Sequence, residues 1–370
     1  MSDSGKQNAA PLSVCYSMAD QAFEQTKSLG IFNLSTGLLS AMAEHPSVER
    51  IPVLGNSGLR KVLPDSTELR CHDRATRGKV GRICWDQWGV YSAARRTTAD
   101  WLFLPKGFAS FVRRPGMRLA TYVHDTIQEF YREKYPDAVS GFEQAYFRRC
   151  FRATLQHSDV IFTNSEFTAA EVRRVSGAWG ITPPRVLRAG IGFRQPEINE
   201  ERENCIAVLI GRYPHKLTEQ AIDWMQRWHA DRDVRVDWIG NLPSGVHLPN
   251  RPGWIHHSRL PEAEFRRRVN SARALVFFSE YEGFGMPPVE AALAGVCPVF
   301  SAIPATTEVM EGTGLEFEND CYDSFAKAMD QSFTLSREHI ADWGARLTDQ
   351  HSWTKVADRV VAGLNSVGQA

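Results

Sequence analysis

Residues 274–308 read ALVFFSEYEGFGMPPVEAALAGVCPVFSAIPATTE. The apolar run Ala274 to Phe278 is short and rich in β-branched and aromatic side chains, the pattern of a buried strand. A loop follows, Glu280-Tyr-Glu-Gly-Phe-Gly, with two glycines two apart. Met286 opens a predicted helix. Its Pro287 and Pro288 suit a first turn, where the amide hydrogens they lack have no partner. Gly295 suits the C-terminal stop, and Val296 to Phe300 reads as a second buried strand. Strand, glycine loop and helix start together make an anion site at Gly283, Phe284, Gly285 and Met286. Glycine lets backbone approach a ligand, and free amides at a helix N-terminus favour phosphate. Glu282 and Glu290 frame this loop with seven residues between them. A carboxylate beside a phosphate needs hydroxyl groups to accept from, and a sugar supplies them.

The stretch resembles the signature of the retaining glycosyltransferase family four, of GT-B fold and mannosyltransferase-like, in which a Glu-x7-Glu pair holds a nucleotide-sugar. The resemblance implies that Glu282 lies near the donor sugar or its phosphate. It implies that Glu290 accepts from the ribose hydroxyls.

The chain has 370 residues, long for one core and suited to two domains. Its formal net charge is zero, which argues against nucleic acid as a partner. Seven cysteines are scattered without a Cys-x-x-Cys pair, which fits a reducing, cytoplasmic setting and argues against a zinc site. Residues 1–11 are polar and lack the apolar core of a signal peptide. No apolar run approaches the roughly 20 residues of a membrane span, so membrane contact is expected to be peripheral. Residues 50–120 carry 14 Lys and Arg against 5 Asp and Glu. The cations run from Arg60 through Arg74, Arg77, Lys79 and Arg82 to Arg113, Arg114 and Arg118, interleaved with Trp85, Trp88, Phe108 and Phe111. Such a stretch is either a solvated face over aromatic core or a surface for anionic lipid head groups or a phosphorylated acceptor.

Outward from the central stretch, Leu12 to Ser17 reads as a first strand. Gly30-Ile-Phe-Asn-Leu-Ser-Thr-Gly37 then runs into a helix at Leu38. The family places a glycine loop facing the donor phosphates here, which makes Gly30 a candidate. Phe32 stands where a second glycine is common. Two strands, at Ala99 to Pro105 and Arg118 to Val123, end in polar tips, and ligands sit outside such carboxyl ends. His124 and Asp125 occupy the second tip. Val123-His-Asp-Thr-Ile127 resembles a segment of the family's mannosyltransferases, which implies that His124 contacts the donor sugar. Tyr131 to Gln156 has a helical pattern. Asp159 to Thr168 reads as a strand running into a helix, with Ser165 or Thr168 placed to cap it. The family's counterpart reaches the cleft, so Asn164 and Ser165 are further candidates.

Gly190 to Pro196 reads as an interdomain linker. Cys205 to Gly211 is a buried strand, followed by Arg212-Tyr-Pro-His-Lys216. Arginine and lysine four apart after a strand and a glycine suit a diphosphate. Asp231-Arg-Asp233 has the form of a metal signature, but it sits in an expected polar turn without companion ligands. Gly253 to Glu262 resembles the family segment that reads the nucleotide base, which makes Arg259 and Leu260 candidates. His256 and His257 are adjacent on a predicted strand, so they point to opposite faces and cannot chelate one metal together. His351-Ser-Trp353 resembles the start of the family's terminal helix.

The expected architecture is α/β, with two Rossmann-like domains facing across a cleft. Residues 1–192 form the acceptor-side domain and 193–350 the nucleotide-sugar domain, and 351–370 form a helix packing back toward the first. The first strand turn lacks Gly-x-Gly-x-x-Gly, against a nicotinamide enzyme. The expected activity is a retaining, metal-independent hexosyl transfer with no cofactor beyond a nucleotide-diphosphate sugar. GDP-linked mannose, or a rhamnose-like sugar, is favoured. The acceptor is a surface polysaccharide or lipid-linked glycan, and the enzyme sits on the inner face of the plasma membrane. His124, Glu282, Arg212 and Lys216 are the expected catalytic group. The rivals are a sugar-nucleotide 2-epimerase of the same fold and a non-catalytic glycan-binding scaffold.

Overall fold

A computed structural model describes residues 11–19, 21, 29–73, 76, 78–114, 116–138, 141–196 and 202–368. The cations Arg74 and Arg77 lie outside these residues. The chain forms two compact units. The first is 1–128, 141–192 and 351–370; the second is 129–140 and 193–350.

The first unit holds β1 (Leu12–Ser17), β2 (Val48–Arg50), β3 (Pro52–Gly55), β4 (Glu68–Cys71), β5 (Trp101–Leu104), β6 (Arg118–Val123), β7 (Val160–Thr163) and β8 (Arg185–Arg188). They form one sheet in the order β4-β3-β1-β5-β6-β7-β8, with β2 beside β1, and every pairing is parallel. Helices on both faces bury such strands completely, which is why β3, β5 and β7 read as unbroken apolar runs.

The second unit holds β9 (Cys205–Leu209), β10 (Arg235–Ile239), β11 (Trp254–His257), β12 (Ala274–Phe277), β13 (Cys297–Ser301) and β14 (Leu315–Phe317). Their order is β11-β10-β9-β12-β13-β14, again parallel throughout. The core between this sheet and its helices is aromatic, with Trp228, Trp238, Phe278, Phe317 and Phe325 all buried. Strand order reverses between β9 and β12. In open α/β sheets that reversal opens a crevice outside the carboxyl ends, where ligands bind. It places the loops after Leu209 and after Phe277 side by side.

Two local expectations are corrected. Gly30 to Gly37 is not a loop; both glycines lie inside the helix Leu29–Ala43. A Cβ on Gly37 would come within 2.3 Å of the Trp353 ring, so that glycine makes room for the terminal helix Trp353–Gly368 of the same unit. The helical pattern from Tyr131 to Gln156 is broken into Ile127–Lys134 and Gly141–His157. Pro136 disfavours helix at Tyr135 and begins a short turn at Pro136–Ala138.

Candidate active site

Two loops meet at the carboxyl edge of the second sheet. In the first, Gly211 exchanges hydrogen bonds with the Thr218 side chain. Its N–H donates to Oγ1 at 3.2 Å and its carbonyl accepts from it at 2.7 Å. Thr218 opens the helix Thr218–Trp228, so the helix start shapes the loop. A Cβ on Gly211 would lie 2.8 Å from Lys216 Cγ, and its absence lets the lysine stem pass. Lys216 Nζ sits 4.9 Å from the Phe277 ring centroid and donates to Glu282 Oε1 at 2.5 Å. Ser279 Oγ donates to the same oxygen at 2.8 Å. The sequence-expected lysine and glutamate, 66 residues apart, are therefore an ion pair. Arg212 stands exposed on the first loop. Its guanidinium lies 4.8 Å from the Tyr213 ring centroid and donates to the Tyr213 hydroxyl at 2.8 Å.

Backbone contacts tie the two loops together. The His215 carbonyl accepts from Glu280 N–H at 2.7 Å, and Ser279 Oγ lies 3.3 Å from it. Asn319 Nδ2 donates to the Ser279 carbonyl at 2.9 Å. The His215 ring is buried, and burial, aided by the Lys216 charge, pushes its pKa down to about 4. Its Nδ1 lies 2.5 Å from the Tyr131 hydroxyl, which burial pushes up to about 12, so both partners are neutral at pH 7. Phe130 stacks on Tyr281 at 4.5 Å between centroids, Lys134 pairs with Glu280 Oε1, and the Tyr135 hydroxyl donates to Glu280 Oε2 at 2.6 Å. Sequence reading missed Tyr131, His215, Ser279 and Glu280. Their roles arise from burial and from partners up to 146 residues away, and no local pattern reports either.

The helix Met286–Leu293 starts at Gly285, which has φ +88°. A Cβ there would lie 2.3 Å from Thr306 Cγ2, so packing as well as backbone conformation demands glycine. At the other end Gly295 has φ +70°. Gly295 N–H returns to Ala292 O and Val296 N–H to Ala291 O, a Schellman stop. Arg202 Nη2 donates to the carbonyls of Ala294 and Gly295 at 2.9 and 2.6 Å, a cation at the negative end of the dipole. Glu290 lies in the second turn. Crowding by protein atoms pushes its carboxyl up to about 7, yet the residue remains exposed to solvent. Solvent at the exposed side chain moderates this rise.

The remaining candidates are dispersed. Arg259 and Leu260 follow β11, two strands from β9 at the same edge. His256 Nε2 meets Gly240 O at 2.9 Å and His257 Nε2 meets Asp237 Oδ1 at 3.4 Å, so the two rings have separate partners. Among the described residues no group of three or more His, Cys, Asp or Glu is arranged to hold a metal ion. A cavity of about 390 Å³ lined by Asn204, Trp228 and Val234 lies at the amino ends of the strands, away from these loops.

In the first unit His124 follows β6. Its Nε2 lies 2.6 Å from the Pro105 carbonyl, which only accepts, so Nε2 carries the hydrogen. Burial pushes the ring down to about 4, with Lys106 adding to the effect and the Pro105 bond opposing it. The His124 carbonyl accepts from Asn164 Nδ2 at 2.8 Å. Asp125 Oδ1 accepts from Ile127 N–H at 3.0 Å, and Ser165 caps the helix Glu166–Ala178 through Thr168 N–H. Capping and loop support account for Asp125, Asn164 and Ser165 as residue types.

Residues 204–334 match the family model described as "Glycosyl transferases group 1". The chain is 30% identical over 242 residues to O-antigen chain mannosyltransferase B of Escherichia coli, covering 58% of this chain and 63% of that protein. It is 24% identical over 217 residues to O-antigen chain mannosyltransferase RfbU of Salmonella typhimurium, covering 56% of this chain and 58% of that protein. These matches thus span less than two thirds of either relative's length. Among solved structures it resembles sucrose-phosphate synthase from Thermosynechococcus elongatus, with TM-score 0.67, 12% identity, and 97% of this chain and 99% of that one covered. It also resembles Anabaena HepE in complex with UDP and glucose, with TM-score 0.66, 13% identity, and 96% and 100% covered. At such identities the likeness concerns the fold. The chain therefore has the two-unit α/β architecture of the GT-B fold, and its residues 204–334 match the glycosyl transferases group 1 model, with O-antigen chain mannosyltransferases among the similar proteins.

Proposed function

We propose that the chain is a retaining glycosyltransferase that moves mannose, or a rhamnose-like hexose, from a GDP-linked donor to a glycan or lipid-linked glycan of the cell surface. The observation that carries this reading is the Lys216–Glu282 pair at the strand-order reversal, beside the glycine loop that starts the Met286 helix. A cation, backbone amides and a carboxylate converge there on the space a nucleotide diphosphate and its sugar would fill. The O-antigen chain mannosyltransferases among its relatives support the choice of sugar and acceptor class.

In the proposed reaction the acceptor oxygen bonds to the anomeric carbon as the bond from that carbon to the diphosphate breaks. The bonding electron pair leaves with the diphosphate, whose oxygen takes the acceptor proton. Negative charge grows on the leaving group. Lys216, Arg212 and the amides of Gly283 to Gly285 stabilise it, the effect that usually supplies most of the rate. This arrangement needs no metal. Glu282 orients the sugar, and Glu290 accepts from the ribose. Met286, Arg259 and Leu260 are secondary donor contacts in this reading.

A panel of GDP-, UDP- and dTDP-sugars with lipid-linked and free glycan acceptors tests it. GDP release with chelator present, and a product of unchanged anomeric configuration, is the expected result. Release of an epimerised nucleotide-sugar without use of an acceptor would replace the transferase with a 2-epimerase. Donor binding without turnover on any acceptor would favour a non-catalytic scaffold.

A further inference from the structure

Nine large apolar side chains are exposed among the described residues, and seven belong to the first unit. Five of the seven, Trp88, Phe108, Phe111, Val112 and Phe142, fall on three neighbouring segments. The loop at 108–113 is pinned beside Trp88: Ser110 Oγ donates to the Gln87 carbonyl at 2.9 Å, and Phe111 N–H donates to Gln87 Oε1 at 3.1 Å. The same loop meets the helix Gly141–His157, with Phe108 on Phe147 at 5.2 Å and Phe111 on Tyr146 at 6.0 Å between centroids. Phe142 lies four residues before Tyr146, on the same helix face, and is 74% exposed. Trp88, Phe111, Val112 and Phe142 thus form one apolar rim, each residue between 39% and 74% exposed.

Cations lie on the same segments. Arg82, Arg114 and Arg149 are exposed, and Arg113 is partly exposed with Nη1 on Ser92 Oγ at 3.2 Å. Carboxyl groups on these segments offset part of the positive charge. Glu143 is on the same helix, and burial pushes Asp86 up to about 7. Aromatic rings flanked by arginines are the composition of a membrane interface: rings enter the head-group layer while guanidinium groups meet anionic phosphates. The loop at 108–113 follows the carboxyl end of β5, and the helix Gly141–His157 begins on that same side of the first sheet. His124, at the end of β6, shares that side.

We propose that Trp88, Phe111, Val112 and Phe142, together with Arg82, Arg113, Arg114 and Arg149, dock the first unit on an anionic lipid bilayer. The surface faces the bilayer with the carboxyl side of the first sheet, so a lipid-linked acceptor is met without leaving the membrane.

Co-sedimentation of the full chain with vesicles, in the absence of any nucleotide-sugar, tests this independently of the proposed activity. Vesicles of phosphatidylcholine with phosphatidylglycerol should retain the protein, and vesicles of phosphatidylcholine alone should retain much less. Added salt should weaken the binding. Combining Trp88→Ser, Phe111→Ser and Phe142→Ser should lower the partition coefficient by about tenfold or more. Arg114→Glu with Arg149→Glu should lower it by about tenfold or more. Ile255→Ser, in the second unit, should leave it unchanged, and thermal melts would confirm that every variant folds. Failure to bind anionic vesicles at low salt would overturn the proposal, as would wild-type binding by the triple serine variant. A dimer that the triple variant disperses, without vesicle binding, would assign the patch to a second copy of the chain instead.

Discussion

Replacing Lys216 with alanine isolates the central electrostatic claim. Lys216 Nζ is 2.5 Å from Glu282 Oε1, and the side chains are 26% and 18% exposed. Two unit charges about 4 Å apart interact by roughly 4 kcal/mol at the effective dielectric of a protein surface. A leaving diphosphate gains its charge as the bond breaks, so a large part of that attraction appears in the transition state. A loss of about 3 kcal/mol corresponds to a fall of roughly a hundredfold or more in kcat/KM. The variant also leaves Glu282 without its cation, facing a diphosphate. GDP affinity, measured by calorimetry without acceptor, should therefore fall by about tenfold or more. Glu282→Gln in the Lys216→Ala background should recover part of that affinity, because the uncompensated carboxylate is gone. Unchanged kcat/KM and GDP affinity in Lys216→Ala would refute the assignment of Lys216 to the diphosphate.

Four further outcomes follow from the geometry. Gly285→Ala places a side chain at φ +88° and 2.3 Å from Thr306 Cγ2, and should lower stability by about 2–5 kcal/mol in denaturant titrations. Tyr131→Phe removes the hydroxyl 2.5 Å from His215 Nδ1; a stability loss of about 1 kcal/mol and a few-fold weaker GDP affinity are expected. His215 is depressed to about 4 in the folded state, against about 6.5 unfolded, so the unfolded chain binds more protons between these values. Its contribution is fully present above about pH 6.5 and falls by roughly 2 kcal/mol by pH 5, a slope that His215→Asn should flatten. His124 is likewise held neutral, so between pH 5.5 and 8 the kcat/KM profile should show no inflection belonging to it.

Much of the second unit could be read directly from the chain. The run Ala274 to Phe278, the prolines at 287 and 288 and the glycine at 295 each have a local cause and effect, and the helix Met286–Leu293 begins and ends at the places they mark. Lys216 and Glu282 were legible because each follows an apolar strand, and parallel strands deliver the residues after them to one edge. The Gly30–Gly37 segment was expected as a loop and is helix, because a glycine such as Gly37 that admits a tryptophan looks, in sequence, like a turn glycine. Trp353 is more than 300 residues away and leaves no mark on the local pattern. The helix break before Pro136 was signalled by the proline, but the run of apolar and basic residues on either side masked it.

The sequence by itself determined the elements: hydrophobic period, glycine and proline set where strands and helices begin and end, because those preferences act over a few residues. The tertiary structure alone decided which polar groups meet. It chose Glu282 as the partner of Lys216, sealed His215 against Tyr131, and gathered Trp88, Phe111 and Phe142 onto one exposed rim. Those outcomes depend on the order in which strands lie side by side. That order is set by the packing of whole layers, which no short stretch of chain encodes.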